Sequence, residues 1–418
     1  LKRPSKETFV MKLMRSHLVM LFAVILVILV PVVHGETYSV LHSFTGAPPD
    51  GKYANGSLVL NGSTLYGTTS HGGDATADAG TVFSLSCDGK DYSVLHAFAG
   101  GLHDGDHPFS GPILSGSTLY GTTFGNNAIY AMSTSGGGPA ILHQFIYGEG
   151  LGAVGGLTLD RSTLYGTTQG GGTTNLGTVF SIGANGSGYR ILHSFEDGSG
   201  VYPKSTLVLS GQTLYGTTVQ TGTETGGGGS VFAVDSDGSD FRLLHSFGDL
   251  SSDACGPEGG LILSGSTLYG TTWAGGKSAG TIYSVSTAGT DFKVLHEFSG
   301  AAGQCPQSGL LLAGSTFFGT TWGGGDNGLG TVYSMDMDGT DFRVLYSFTG
   351  ENGAHPTCDL ILNGSTLYGT TSRGGSSDYG VVFALTVPEP SNFLMLAAAA
   401  FMLLAYAFAE RSRKKRAS

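Results

Sequence analysis

Thr64-Leu65-Tyr66-Gly67-Thr68-Thr69 is the stretch that decides the fold, because the chain repeats it. The same hexapeptide begins at Thr118, Thr163, Thr213, Thr267 and Thr366, and Thr-Phe-Phe-Gly-Thr-Thr begins at Thr316. Spacings of 54, 45, 50, 54, 49 and 50 residues match one four-stranded propeller blade. Four strand-like runs surround the first copy: Leu58 to Leu60, Leu65 to Thr69, Thr81 to Leu85 and Tyr92 to Phe98. Asn61-Gly62 and Asp88-Gly89 stand between runs, where such pairs supply the positive φ of tight hairpins, so neighbouring runs pair antiparallel.

The phase of the repeat says how the fold closes. The chain opens on a lone run, Tyr38 to Phe44, that matches the fourth strand of a unit, and the last unit stops at its third, Val381 to Leu385. The strand missing from the last blade is thus available at the N-terminus, and supplying it closes a ring. A solenoid has no use for such a permuted phase. The expected fold is all-β, a seven-bladed β-propeller of four-stranded blades over residues 36–387, with a pair of smaller β-domains as the alternative.

Composition agrees with short strands and glycine-rich turns. Of 418 residues 71 are Gly, 12% are charged and 40% are hydrophobic, too apolar for a disordered tract and without the glycine period of collagen. The net charge of −11 hides an asymmetry, since residues 36–391 hold 10 Lys and Arg against 29 Asp and Glu, a net −19. Such a body lacks the cationic footprint that nucleic acid requires. It also disfavours anionic glycans unless a cation bridges. Cys87, Cys255, Cys305 and Cys358 form no C-x-x-C and no zinc spacing, so a metal cluster is not expected. A Cys255–Cys305 bridge between successive repeats competes with two free thiols.

The two ends read as addresses. Met11 opens a basic stretch (Lys12, Arg15) before an apolar run from Leu18 to Val33, the pattern of a signal peptide cut after Gly35, with an uncleaved signal anchor as the alternative. Residues 1–35 are then upstream residues and signal peptide. The other end has Pro388-Glu389-Pro390, an apolar run from Phe393 to Ala409, and Arg411, Arg413, Lys414, Lys415 and Arg416. The apolar run is just long enough to span a thin bilayer as a transmembrane helix, with the basic end cytoplasmic and the body outside. Residues 388–418 resemble the PEP-CTERM sorting signal. The resemblance implies an exosortase-type protease as partner and Pro388, Glu389 and Pro390 as the motif it reads; an ordinary tail anchor is the alternative.

The repeats themselves resemble the GloVer-type tandem repeat family of bacterial surface proteins, on Leu-Tyr-Gly-Thr-Thr, Gly-Thr-Val-Phe (Gly80 to Phe83, Gly177 to Phe180) and Leu-His-Ser-Phe (Leu41 to Phe44, Leu192 to Phe195). The resemblance implies architecture and brings no catalytic residues.

Candidate chemistry is weighed against that repetition. His42, His96, His143, His193, His245 and His296 share one repeat position, with Tyr346 in the seventh. Six copies spread around a ring do not converge on one metal, and hydrogen bonding to blade neighbours, such as Thr68 and Thr69, is the expected role. Asp235-Ser-Asp237-Gly238-Ser-Asp240 and Asp336-Met-Asp338-Gly339-Thr-Asp341 open like calcium loops but lack the closing glutamate, so they read as hairpin turns. Asp104-Gly105-Asp106-His107 with His103, and Asp50, Asp197 and Glu258 between blades, suit acid–base work, yet no nucleophile motif accompanies them.

Trp273 and Trp322, the only tryptophans, directly follow the hexapeptide in consecutive repeats, where the others have Ser70, Phe124, Gln169, Val219 and Ser372. A propeller puts both on one face. With Lys277, Asp326 and Asn327 beside them they offer a flat apolar surface and polar groups, which is what a sugar ring needs; packing between blades is the plain alternative. The expectation is an exported surface protein, carried by the Sec pathway to the cell surface or outer envelope and anchored in the membrane at least transiently. It binds a neutral glycan or a surface protein and is not an enzyme, with no catalytic or metal residues and no cofactor. A purely structural envelope or biofilm component is the first alternative, and a propeller hydrolase or lyase the second.

Overall fold

The computed structural model describes residues 36–101, 103–220, 228–248, 254–276 and 279–387. They form seven antiparallel blade sheets, the fourth with an extra short strand Val201–Pro203, and a separate two-stranded ribbon of Gly51–Lys52 and His71–Gly72. Blade 1 is Val59–Asn61, Thr64–Thr69, Thr81–Ser86 and Ser93–Ala97. Blades 2 to 6 repeat this order, beginning at Ile113–Ser115, Thr158–Asp160, Val208–Ser210, Ile262–Ser264 and Leu311–Ala313. In blade 7, Ile361–Asn363, Thr366–Thr370 and Val381–Thr386 are completed by the N-terminal strand Thr37–Ser43. The permuted phase therefore closes the ring, and the Phe44 N–H donates to Gly380 O at 3.0 Å to extend the seam.

The core lies between blades. One cluster joins Phe44, Tyr368, Val382 and Ala384 of blade 7 to Leu58, Leu65, Phe83 and Leu85 of blade 1, so the closing seam is packed like the others. The hexapeptide is explained position by position. Leu65 is fully buried. Gly67 faces the ring of the neighbouring strand, where a Cβ would lie 2.5 Å from Phe83 Cζ. The first threonine crosses to the next blade: Thr68 donates to Ser110 O at 3.0 Å, Thr271 to Ser308 O at 2.8 Å, and Thr370 to Gly56 O at 3.3 Å. The second pairs within the blade, Thr69 with Thr81, Thr168 with Thr178 and Thr321 with Thr331, each at 2.8 Å. These buried hydroxyls are thus satisfied, Thr217 Oγ1 of blade 4 being an exception, and the motif is a fastening device.

The repeated histidines fasten the outer seams by stacking on rings of the next blade, whereas hydrogen bonds to threonines were expected. His42 stacks on Tyr92 of the next blade at 3.6 Å, His193 on Phe241 at 3.6 Å, His245 on Phe292 at 3.7 Å and His296 on Phe342 at 4.0 Å. Tyr346 stacks in the same way on Tyr38 at 3.8 Å. Three also meet carboxylates, His42 with Asp50 at 3.3 Å, His96 with Asp104 at 2.7 Å and His143 with Glu149 at 3.1 Å.

Candidate functional site

The site is built on one backbone position. Eleven residues before each hexapeptide stands Tyr53, His107, Gly152, Tyr202, Gly256, Cys305 or His355, and all seven have left-handed φ, from 50° at His107 to 66° at Gly256. The N–H of this residue bonds the preceding blade, as Tyr53 does to Tyr379 O at 2.8 Å and His355 to Leu329 O at 2.8 Å. Its carbonyl accepts from the residue that follows its own hexapeptide, as Cys305 does from the Trp322 N–H at 3.1 Å. In five blades the next residue is Pro: Pro108, Pro203, Pro257, Pro306 and Pro356. A left-handed L-residue costs about 1–2 kcal/mol, and a following proline restricts it further. Glycine serves at positions 152 and 256, yet four blades keep an aromatic or imidazole ring there.

These rings meet side chains from the preceding blade on one loop face. At the seam of blades 6 and 7, Trp322 stacks on His355 with centroids 4.1 Å apart. Between blades 7 and 1, the Arg373 guanidinium lies 4.6 Å from the Tyr53 ring centre. Between blades 1 and 2, His71 packs edge-on against His107 at 4.8 Å. Between blades 2 and 3, Phe124 lies against Gly152, where a Cβ would meet its ring at 3.2 Å. Trp322 is 40% and Phe124 42% exposed, unusual for rings of this size.

Trp322, Leu329, His355, Ser372, Arg373 and Asp378 line a cleft of about 560 Å³ at the seam of blades 6 and 7. Arg373 and Asp378, 3.5 Å apart, place a donor and an acceptor beside the stacked rings. Two residues after each left-handed position the chain lines a central channel to which all seven blades contribute, with Asn55, Phe109, Val154, Lys204, Glu258, Gln307 and Thr357. Lys204 pairs with Glu258 across the channel wall at 3.2 Å. Burial pushes the Asp359 carboxyl above its ordinary range, against a hydrogen bond from the Gly309 N–H at 2.6 Å.

The two tryptophans are turned differently. Trp273 is half-buried over its own blade's Gly256, where a Cβ would collide with its indole nitrogen. Trp322 has Cys305 at that place and leans to the next seam instead. No ring contact joins them among the described residues. Asn327 donates to Phe348 O at 3.1 Å, Asp326 is exposed, and Lys277 lies outside the described residues. The sequence marks His107 only as an acid–base candidate and does not mark Tyr53, Arg373 or His355; for His107 and His355 the X-Pro pair at fixed distance from the hexapeptide is the available signal.

The remaining candidates have local duties. Asp237 and Asp338 accept from the N–H groups of Ser239 and Thr340, both at 2.9 Å, as hairpin caps. No group of three metal-ligating side chains occurs among the described residues. Asp50 accepts from the Thr45 N–H at 2.7 Å and the Tyr92 hydroxyl at 2.8 Å. Burial opposes its charge, but these bonds and His42 hold the carboxyl down at about 2. Cys305 carries a free thiol, so no bridge joins it to Cys255. The signal peptide, the Pro388-Glu389-Pro390 motif and the apolar tail lie outside the described residues, among which no helix is long and apolar enough to cross a membrane.

His193 gives the fold an acid-sensitive point. Its Nε2 is buried without a partner, and burial lowers the ring's pKa from 6.5 to about 4. The depressed value means that its contribution is complete above pH 6.5 and is lost as pH falls towards 4. After discounting for solvent contact this amounts to about 1 kcal/mol. His193→Phe keeps a ring on Phe241 and should flatten the loss between pH 6.5 and 4 in thermal melts. An unchanged pH profile would remove His193 from that role.

Solved structures with the same architecture are distant in sequence. An oligogalacturonate lyase in complex with manganese is 12% identical with a TM-score of 0.53, covering 85% of this chain and 97% of its own. An oligogalacturonate lyase from Vibrio parahaemolyticus is 11% identical with a TM-score of 0.53, covering 85% and 98%. A europium-containing methanol dehydrogenase is 10% identical at 0.53, covering 84% and 93%. At these identities the likeness is one of fold. No curated protein matches the chain. The Gloeobacter/Verrucomicrobia repeat matches three times, over residues 29–227, 123–314 and 224–401. With its repeated fastening motif and its seven blades accounted for, the chain belongs to the Gloeobacter/Verrucomicrobia repeat family.

Proposed function

We propose that this protein is a non-catalytic binding module on the cell surface whose loop face holds a neutral glycan. The observation that carries the reading is the exposed Trp322 ring, stacked on His355 and flanked by the Arg373–Asp378 pair. An aromatic face covers the apolar C–H side of a sugar, and an adjacent donor and acceptor suit its hydroxyls. Backbone strain supports it, because left-handed non-glycine residues concentrate where function requires a particular side chain. The carboxylates that sit beside histidines are engaged in local hydrogen bonds, which favours binding over acid–base chemistry. Fold neighbours that are a lyase and a dehydrogenase carry no residue roles across at their identities.

Trp322→Ala should weaken binding of a glycan hit by about ten-fold while the melting temperature shifts little, since a half-exposed ring buries modest area. A glycan array with the whole chain finds the hit, and calorimetry reads the variant. Unchanged affinity in the variant would move the site elsewhere; no hit on the array would favour the purely structural envelope role.

The address belongs to the same proposal. Residues 1–35 export the chain, the tail from Pro388 anchors it in the membrane, and an exosortase-type protease reads Pro388, Glu389 and Pro390. Protease shaving of intact cells should remove the propeller, and loss of residues 388–418 should release it to the medium. Recovery of the folded body from the cytoplasm would refute the address.

A further inference from the structure

Resting on the glycan reading of the loop face, we propose that the ligand is a linear neutral oligosaccharide laid along four consecutive seams, from Trp322 to Phe124, in preference to a single terminal sugar. The four seams are adjacent around the channel mouth and each presents one stacked or facing pair: Trp322 on His355, Arg373 over Tyr53, His71 against His107, and Phe124 against Gly152. The first three are linked through shared side chains and strands. Tyr53 touches both Arg373 and His71, at 4.6 Å and 5.4 Å, and Arg373 shares the first cleft with Trp322.

Among the described residues, the other three seams break the series. Gln169 lies over Gly152 of its own blade, Trp273 likewise turns back over Gly256 instead of reaching Cys305, and the exposed Tyr202 ring at the seam of blades 3 and 4 has no ring or cation facing it. A ligand that followed the pseudo-sevenfold symmetry would have no reason for this one-sided arc. An extended chain that covers about half the ring does.

Charge along the arc selects neutrality. Arg373 is 3.5 Å from Asp378, Lys52 is 3.1 Å from Asp78, and His107 is 3.6 Å from Asp106. Burial, and then His107, lowers the pKa of His71, which keeps that imidazole neutral. Arg373 and Lys52 thus each have an acid beside them, and the arc offers donors and acceptors side by side. Hydroxyls can use both kinds, whereas a polyuronate would find Arg373 and Lys52 already paired with acids.

The test titrates the whole chain with β-1,3-, β-1,4- and α-1,4-linked glucan oligomers of two to eight residues and follows tryptophan emission. Affinity in one series should rise at least about ten-fold from dimer to hexamer and then level off. Phe124→Ser introduces the residue that blades 1 and 7 carry at the same place, so the fold accepts it. It should weaken the hexamer about five-fold and leave the dimer unchanged. His71→Ala should act in the same direction. A dimer that binds as tightly as the octamer, with Trp322→Ala still abolishing binding, would overturn the extended ligand and leave the Trp322 site standing. Binding by none of the three series would overturn both.

Discussion

Removal of residues 37–44 should cost at least about 5 kcal/mol or abolish folding, the largest effect expected of any short deletion in this chain. Phe44 is fully buried in the cluster that joins blades 7 and 1, and loss of one such ring alone costs about 3–5 kcal/mol. The same segment carries Tyr38, which stacks on Tyr346 and donates its hydroxyl to Asn352 O, and His42, which stacks on Tyr92. Its loss also bares the edge of Val381–Thr386, with no neighbour to take its place. Urea denaturation of the truncated and complete chains compares the two stabilities. A truncated protein with an unchanged midpoint would defeat closure by the N-terminal strand.

Gly330→Val should be nearly as damaging. Gly330 opens the third strand of blade 6 at φ 100°, a region closed to β-branched residues. An added Cβ would collide with Thr321 O and lie 2.8 Å from Pro356 Cδ of the next blade, both parts of the frame with little freedom to move. About 3 kcal/mol or more is the expected loss, from backbone strain and overpacking together. Gly328→Val, two positions before Gly330 and also left-handed at φ 74°, meets nothing within 4 Å and isolates the backbone part. Equal losses in the two variants would show that the contact with blade 7 contributes nothing.

The difference between what could and could not be read from the chain has a physical origin. Period and phase set the blades and their closure because Leu65, Gly67, Thr68 and Thr69 do jobs that recur in most copies. Tyr92, Phe241 and Phe292 likewise stand four residues before His96, His245 and His296, but each ring stacks on the histidine of the preceding blade, which spacing within one repeat does not reveal. On the loop face it is the backbone that is constant while the side chain varies from Tyr to His, Cys or Gly. The two tryptophans show the consequence. They hold equivalent positions, yet Gly256 leaves room for Trp273 to fold over its own blade, whereas Cys305 fills that room and Trp322 goes to His355. One neighbouring Cβ decides which ring is offered to solvent.

That distinction gives the most direct measurement of the central claim, which is that Trp322 is an exposed binding ring held ready by the fold. In Trp273→Phe, Trp322 is the only tryptophan left, so the emission reports on it alone. Red-shifted emission that iodide quenches in the free protein, with quenching relieved when a bound glucan covers the ring, is the predicted result. Blue-shifted emission beyond the reach of iodide, together with a loss of about 3–5 kcal/mol of stability in Trp322→Ala, would contradict it and make the ring a packing element between blades.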